Sequence, residues 1–236
     1  MTVRVQDIRL TVGGIARGFR HMAGLAVFLV PFGMAFGVAA VERSIPVEQA
    51  IIMSVLVFSA AAQFAALQLW ETGALVSLLL VVLAISTRHI LLGAALSPWF
   101  NQIGRPKRLA SLTVLSDPNF ADTSAALERD ERDIGRLVGG GIALWLSWVI
   151  GTAIGAIAGQ QFGDLDRFGI DVLMASYFAA MVLTRWHDRW QGRQTVLPAV
   201  TAAAVALVGL HVLPAGWNIV AAALAGGAVG GLMYGR

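Results

Sequence analysis

Apolar segments long enough to cross a bilayer follow one another along almost this whole chain, which leaves it few ways to fold. Candidate spans fall at residues 22–42, 49–70, 73–98, 134–159, 169–186, 195–213 and 216–234. Each is near or above the roughly 20 residues that hydrocarbon asks of a helix. In hydrocarbon every backbone N–H and C=O must find its partner inside the protein, so only helices or a closed barrel serve. A barrel would show alternating segments of about ten residues, and none are visible. The expected fold is therefore all-α: a polytopic helical membrane protein of roughly six to eight hydrophobic segments, with the whole of 1–236 as one membrane domain.

Composition agrees. Only 13% of the 236 residues are charged and 57% are hydrophobic, where a soluble domain carries about 25% charged residues. There is no cysteine, which rules out a disulfide framework and thiolate metal sites. The basic balance does not point to nucleic acid, because the arginines stand at the ends of apolar runs, where the positive-inside rule places them. Residues 1–21 read as an amphipathic segment on the cytoplasmic face. Ile8, Val12, Ile15 and Phe19 recur at helical spacing among Arg4, Arg9, Arg17 and Arg20, a pattern suited to an interfacial helix and unlike a cleavable signal.

Two features break the simple series of spans. Leu109 to Leu127 is moderately apolar but holds Asp117, Pro118, Asn119 and Asp122, and reads as a broken, partly re-entrant helix, with a surface turn as the alternative. Charge raises the second point. If the N-terminal arginines are inside and every segment crosses, Arg129, Arg132, Arg136, Arg185, Arg189, Arg193 and Arg236 also lie inside, but Arg105, Lys107 and Arg108 lie outside. With both 49–70 and 109–127 re-entrant, every basic cluster returns to the inside. A weak internal repeat adds to the pattern. Gly33–Ala40 (GMAFGVAA) resembles Gly151–Ala158 (GTAIGAIA), and MSVLVF from Met53 follows the first as MASYF from Met174 follows the second. Duplication is common in secondary transporters, whose sites lie where the repeats meet.

Polar residues at membrane depth are the candidate site. Arg88 and His89 sit near the middle of 73–98, where a charge costs roughly 2.5–3.5 kcal/mol and so usually faces the protein interior or water. Ser86, His89 and Gly93 share a helix face, with Arg88 about 100° away. Arg88 suits a substrate carboxylate or a structural ion pair with Asp117, and His89 suits proton relay. Ser59 and Gln63 are spaced to share a face of the second span, across Ala60–Ala62. They suit either a zwitterion or helix-to-helix bonding. Pro118 is expected to free the carbonyl of Val114, giving a polar patch with Asp117 and Asn119. The expected substrate-binding residues are thus Ser59, Gln63, Arg88, His89 and Asn119, and the expected coupling residues are His89 and Asp117. GxxxG spacings at Gly33/Gly37, Gly151/Gly155/Gly159 and Gly226/Gly230 read as close helix packing, and Trp186, His187 and Trp190 as an interfacial aromatic belt. No HExxH motif, nucleophile elbow or Walker motif is present, so no enzyme class, metal or other cofactor is expected, and any transport would draw on an ion gradient.

PFGMAFG (Pro31–Gly37), MSVLVFSAAAQF (Met53–Phe64), STRHILLGAALSP (Ser86–Pro98) and SDPNF (Ser116–Phe120) resemble the large subunit of the branched-chain amino-acid exporters, the AzlC family. The likeness runs in order over most of the chain and is strongest from 31 to 120. It implies a bacterial inner-membrane permease exporting leucine, isoleucine, valine and often methionine on the proton-motive force, paired with a small AzlD-like membrane subunit. Two departures stand out: the family commonly has Asn where this chain has Ser86, and Asp-Glu where it has Asp117-Pro118. They leave room for another solute. A non-transporting membrane assembly subunit is the remaining alternative.

Overall fold

A computed structural model describes residues 8–70, 75–162, 193–213 and 217–234. The expected span 169–186, its tryptophan belt and the MASYF stretch lie outside the described residues. The described helices are α1 (Val12–Glu42), α2 (Val47–Leu56), α3 (Ala60–Trp70), α4 (Leu75–Phe100), α5 (Arg105–Leu112), α6 (Asp117–Glu128), α7 (Gly135–Phe162), α8 (Arg193–Val212) and α9 (Trp217–Tyr234). Among them α1, α4 and α7 are long and apolar enough to cross a membrane. The chain divides into two compact units, one of residues 1–60 and 86–163, the other of 61–85 and 164–236.

The first unit is built on a seam between α1 and α7. Gly14, Gly18, Gly33 and Gly37 lie on the buried side of α1, and the glycines of α7 face them. A Cβ on Gly33 would strike the Trp148 carbonyl, and one on Gly151 the Val30 carbonyl. In the same way Gly37 meets the Thr152 carbonyl and Gly155 meets that of Met34. Only residues without side chains let two helix backbones come this close, and in lipid such close packing drives helix association. The contacts advance along both helices together, from Gly18 against Arg136 to Gly159 against Val38, so the helices run parallel. They are also reciprocal: Gly33 meets the carbonyl three residues before Gly151, and Gly151 meets the carbonyl three residues before Gly33. The two similar stretches of sequence therefore pack on each other as a repeat about an axis along the seam would.

The N-terminal segment differs from the sequence expectation. Val12, Ile15 and Phe19 belong to one helix continuous to Glu42, and the face it buries begins with Gly14 and Gly18 and continues through Met22 and Ala26, not with the stripe of Val12, Ile15 and Phe19. Glycines look neutral to a hydropathy count, yet here they make the tightest contact. Ile8 precedes the helix and is buried with Leu96, Phe100, Leu115, Leu127, Ile134 and Leu137. Asp133 ties this end together. It accepts from the Thr11 N–H at 3.2 Å, the Thr11 hydroxyl at 2.5 Å, Arg17 at 3.0 Å and the Gly135 N–H at 3.0 Å, and so serves the first turns of both α1 and α7.

That cluster also settles the basic loop. Phe100 and Ile103 at the end of α4 pack with Ile8 and Ile134, so residues 105–108 lie at the same end of the unit as the starts of α1 and α7. Leu127 of α6 packs there too, so the stretch from Arg105 to Glu128 enters and leaves at one end. The helix of 109–127 is broken at Thr113–Ser116 into α5 and α6, a re-entrant hairpin. Arg9, Arg17, Arg105, Lys107, Arg108, Arg129 and Arg132 share one end, and the sidedness conflict in the sequence disappears.

The span 49–70 is interrupted at Val57–Ser59. Ahead of the break, α2 lies on α7, where the buried hydroxyls of Ser54 and Thr152 bond at 2.8 Å. The Val55 carbonyl, left without a helical partner, accepts from the Trp145 indole N–H at 3.1 Å. In the break the Ser59 N–H donates to the Val57 carbonyl at 2.9 Å, a tight turn in place of a helical bond. Phe58 packs on Met22, Ala26, Ala143 and Leu144, near the middle of α1 and α7.

In the second unit, α3 and the first half of α4 share a cluster of Ala65, Leu69 and Val81, with Leu78 and Ile85 against it. There α8 and α9 form an antiparallel pair: Gly226 approaches Ala202 and Pro198, and Gly209 approaches Asn218.

Candidate functional site

The first unit brings Ser59, Arg88 and Asp117 into one chain of contacts. Arg88 Nη1 is 2.8 Å from Asp117 Oδ2, an ion pair whose side chains are 33% and 22% exposed. Arg88 Nη2 donates to Ser59 Oγ at 3.4 Å, a long and weak bond. Arg88 Nε is buried and has no hydrogen-bond partner among the described residues. The three residues come from three interrupted or long elements, and helix geometry puts them at one depth. Arg88 lies about 18 Å along α4 from Phe100, and Asp117 about 17 Å along α6 from Glu128, at 1.5 Å per residue. Both helices end at the basic end, so the pair stands about halfway up α4.

Each break has a local cause. Ser116 caps α6: its N–H donates to Asn119 Oδ1 at 2.7 Å, a capping box with Asn at the third helical position. Pro118 lies in the first turn of α6, where its missing N–H has no intrahelical partner to lose. Pro118 thus begins a helix and interrupts none. The Val114 carbonyl is not free either, since Asn119 Nδ2 donates to it at 2.7 Å.

Asn119 is therefore occupied. Nδ2 also donates to the Leu137 carbonyl at 3.1 Å, and Oδ1 accepts from the Ser116 hydroxyl at 3.1 Å. The side chain is 1% exposed and all four of its hydrogen-bonding positions are used, leaving none for a solute. It holds the tip of the hairpin against α7. Replacing Asn119 by leucine is expected to leave the Val114 carbonyl buried and unpaired, at about 1–3 kcal/mol, and to strip the Leu137 carbonyl of the bond it accepts beside its helical one. Thermal unfolding of the detergent-solubilised protein checks this, with a fall in melting temperature of several degrees as the outcome.

His89 stands one residue from Arg88 but belongs to another face. Its Nδ1 donates to the Ser86 carbonyl at 3.2 Å, which fixes the ring against its own helix, while Nε2 makes no hydrogen bond among the described residues. Gly93, one turn on, has nothing within 4 Å of a Cβ among the described residues, so the Ser86–His89–Gly93 face is open at that point. Gln63 is 1% exposed in α3, in the second unit. Ser59 precedes α3 and is not part of it, so the two do not form a single helical stripe.

One group escaped the sequence reading. Asp122 of α6 receives a bidentate bond from Arg136 of α7, at 2.6 and 2.7 Å, and His21 Nε2 of α1 is 3.1 Å away. Arg136 also reaches Glu131 at 3.2 Å. These contacts join α1, α6 and α7 near the basic end. The only signal in the sequence was an acid in an apolar stretch and an arginine in the first turn of a helix, where the dipole disfavours a cation. No group of three or more metal-ligating side chains lies close together among the described residues.

These features define a class, a polytopic helical membrane protein with discontinuous helices that carry an ion pair to mid-depth. Irregular backbone at such depth is tolerated where protein buries it or where it lines a wet cavity. The chain belongs to the AzlC family, whose model, described as AzlC protein, matches residues 24–162. It is 27% identical to the inner membrane protein YgaZ of Escherichia coli over 199 residues, covering 82% of this chain and 80% of that one. It is 29% identical to an uncharacterized membrane protein of Archaeoglobus fulgidus over 220 residues, covering 89% and 91%. No solved structure matches the chain.

Proposed function

We propose that the protein is the large permease subunit of a secondary exporter of small amino acids, with branched-chain amino acids as the natural class. Supporting this are its family, the membrane fold, and above all the Arg88–Asp117 ion pair held at mid-depth between a broken helix and a re-entrant hairpin. A partly exposed pair at that depth suits a zwitterion. The solute's carboxylate takes Arg88, which already has one N–H group unspent, and its ammonium takes Asp117. A neutral pair is then replaced by a solute of no net charge. A solute lacking one charge strands either Arg88 or Asp117 in a poorly solvated place, which is unfavourable, so discrimination against keto acids and amines follows from the same geometry. Ser59 and the open face at His89 and Gly93 lie on the flanks of this exchange. Coupling to the proton gradient runs through Asp117, whose carboxylate takes a proton once the solute's ammonium has left it and before Arg88 returns, with His89 as the second proton-carrying group. The basic end faces the cytoplasm of a bacterial inner membrane by the positive-inside rule, and a small AzlD-like membrane subunit completes the transporter.

Counterflow in proteoliposomes tests the reading, with and without the small subunit. Labelled leucine is expected to exchange against leucine, isoleucine and valine, and not against the matching keto acids or alkylamines. Exchange against keto acids at the same rate, or no exchange of any amino acid with the subunit present, overturns it.

A further inference from the structure

The basic end of the first unit carries more cations than its own acids can hold. Asp133 is taken by Arg17, Asp130 by Arg132, Asp122 by Arg136 and His21, and Glu131 by Arg136. Among the described residues, Arg9, Arg20, Arg105, Lys107 and Arg129 have no carboxylate partner, and Glu128 is the one acid at that end left to face them. The excess is densest on α5. Arg105 and Lys107 are exposed in its first turn, and Arg108 is spent on Asn101 at 2.5 Å. Leu109, 64% exposed, follows directly. The inner side of the helix is fixed by buried Ser111, whose hydroxyl donates to the Lys107 carbonyl at 2.8 Å, and by Leu112 against the Leu96–Phe100 cluster. Arg105 and Leu109, one turn apart, stand about 40° from each other around α5, and exposed Lys107 falls on the other flank, about 160° from both, so cations flank the apolar side chain where α4 emerges.

We infer that the exposed start of α5, around Arg105 and Leu109, is a binding surface for an anionic phospholipid. Arg105 would meet the phosphate headgroup and Leu109, one turn on, the start of the acyl chains, with Lys107 adding positive charge from the other flank. Charge complementarity favours a negative headgroup over a zwitterionic one, and juxtamembrane cations of this kind gain from anionic lipid at a range set by ionic strength. An inorganic phosphate would satisfy the cations and leave Leu109 in water. Since α5 is the first arm of the hairpin whose second arm carries Asp117, a bound lipid steadies the base of that hairpin. The lipid-binding claim stands whether or not the permease reading holds.

The experiment uses the full-length protein in detergent, titrated with dioleoyl phosphatidylglycerol or dioleoyl phosphatidylcholine and read by native mass spectrometry. The expected result is preferential retention of phosphatidylglycerol. The double variant Arg105→Gln/Lys107→Gln should lower that preference roughly tenfold, and Arg43→Gln, at the other end of α1, should leave it unchanged. Equal retention of the two lipids, or a preference that survives the double variant, overturns the inference. So does an equal loss in Arg43→Gln, which makes the effect one of net charge alone. Displacement of the bound lipid by millimolar inorganic phosphate identifies a free-phosphate site and also overturns it.

Discussion

Exchanging Arg88 for alanine is expected to abolish leucine exchange and to lower the yield of folded protein, and adding Asp117→Asn is expected to restore the fold but not the exchange. Arg88 has two separable jobs, holding Asp117 and receiving the solute. If Arg88 only neutralised Asp117, removing both charges would mend both defects. If the pair also receives the solute, its carboxylate at Arg88 and its ammonium at Asp117, the double variant folds without either partner and stays inactive. The pair is partly exposed, at 33% and 22%, so stranding one partner should cost about 1–3 kcal/mol and not the 3–5 kcal/mol of a fully buried pair. Melting temperature and counterflow, measured on both single variants and the double variant, complete the cycle. Exchange recovered in the double variant would assign Arg88 a structural role alone.

A larger loss of stability is expected from Gly37→Leu or Gly155→Leu. Each would drive a side chain into a backbone carbonyl across the α1–α7 seam, of Thr152 and of Met34 respectively. A backbone cannot rotate away as a side chain does, so the helices must separate along their length. That costs about 3 kcal/mol or more, and folded protein should largely vanish from fluorescence-detected size-exclusion profiles. Gly24→Leu is the control, since nothing lies within 4 Å of its Cβ position among the described residues. A monodisperse peak of normal height for both seam variants would show that the helices are not packed this closely.

Much of this was readable in advance. The apolar runs required membrane helices, because no other element satisfies its backbone in hydrocarbon. The GxxxG spacings pointed to close packing, and Arg88 with Asp117 stood out as charges where charges are costly. The break at 113–116 was legible from Ser116, Asp117 and Pro118, which signal the start of a helix. Hydropathy read that start as an interruption, because a helix-initiating proline and a helix-breaking one look alike until the neighbouring turn is known. The break at Val57–Ser59 was less visible. Val57 and Phe58 are as apolar as their neighbours, and what ends α2 there is the packing of Phe58 and the hold of Trp145 on the Val55 carbonyl.

Asn119 shows the limit most clearly. Its residue type, polar and at membrane depth, suits a solute contact as well as a structural one. Only the positions of Val114, Ser116 and Leu137 show that its hydrogen bonds are already used. The same holds for the loop at 105–108, whose side was undecidable from charge counting, because the number of crossings before it depended on whether 49–70 crosses or turns back. By itself the sequence determined the solvent, the helices and the residues too polar for it, since burial in hydrocarbon acts on each segment alone. The tertiary structure decided which segments turn back, which polar groups pair, and which are left for a solute, since those depend on contacts between residues far apart in the chain.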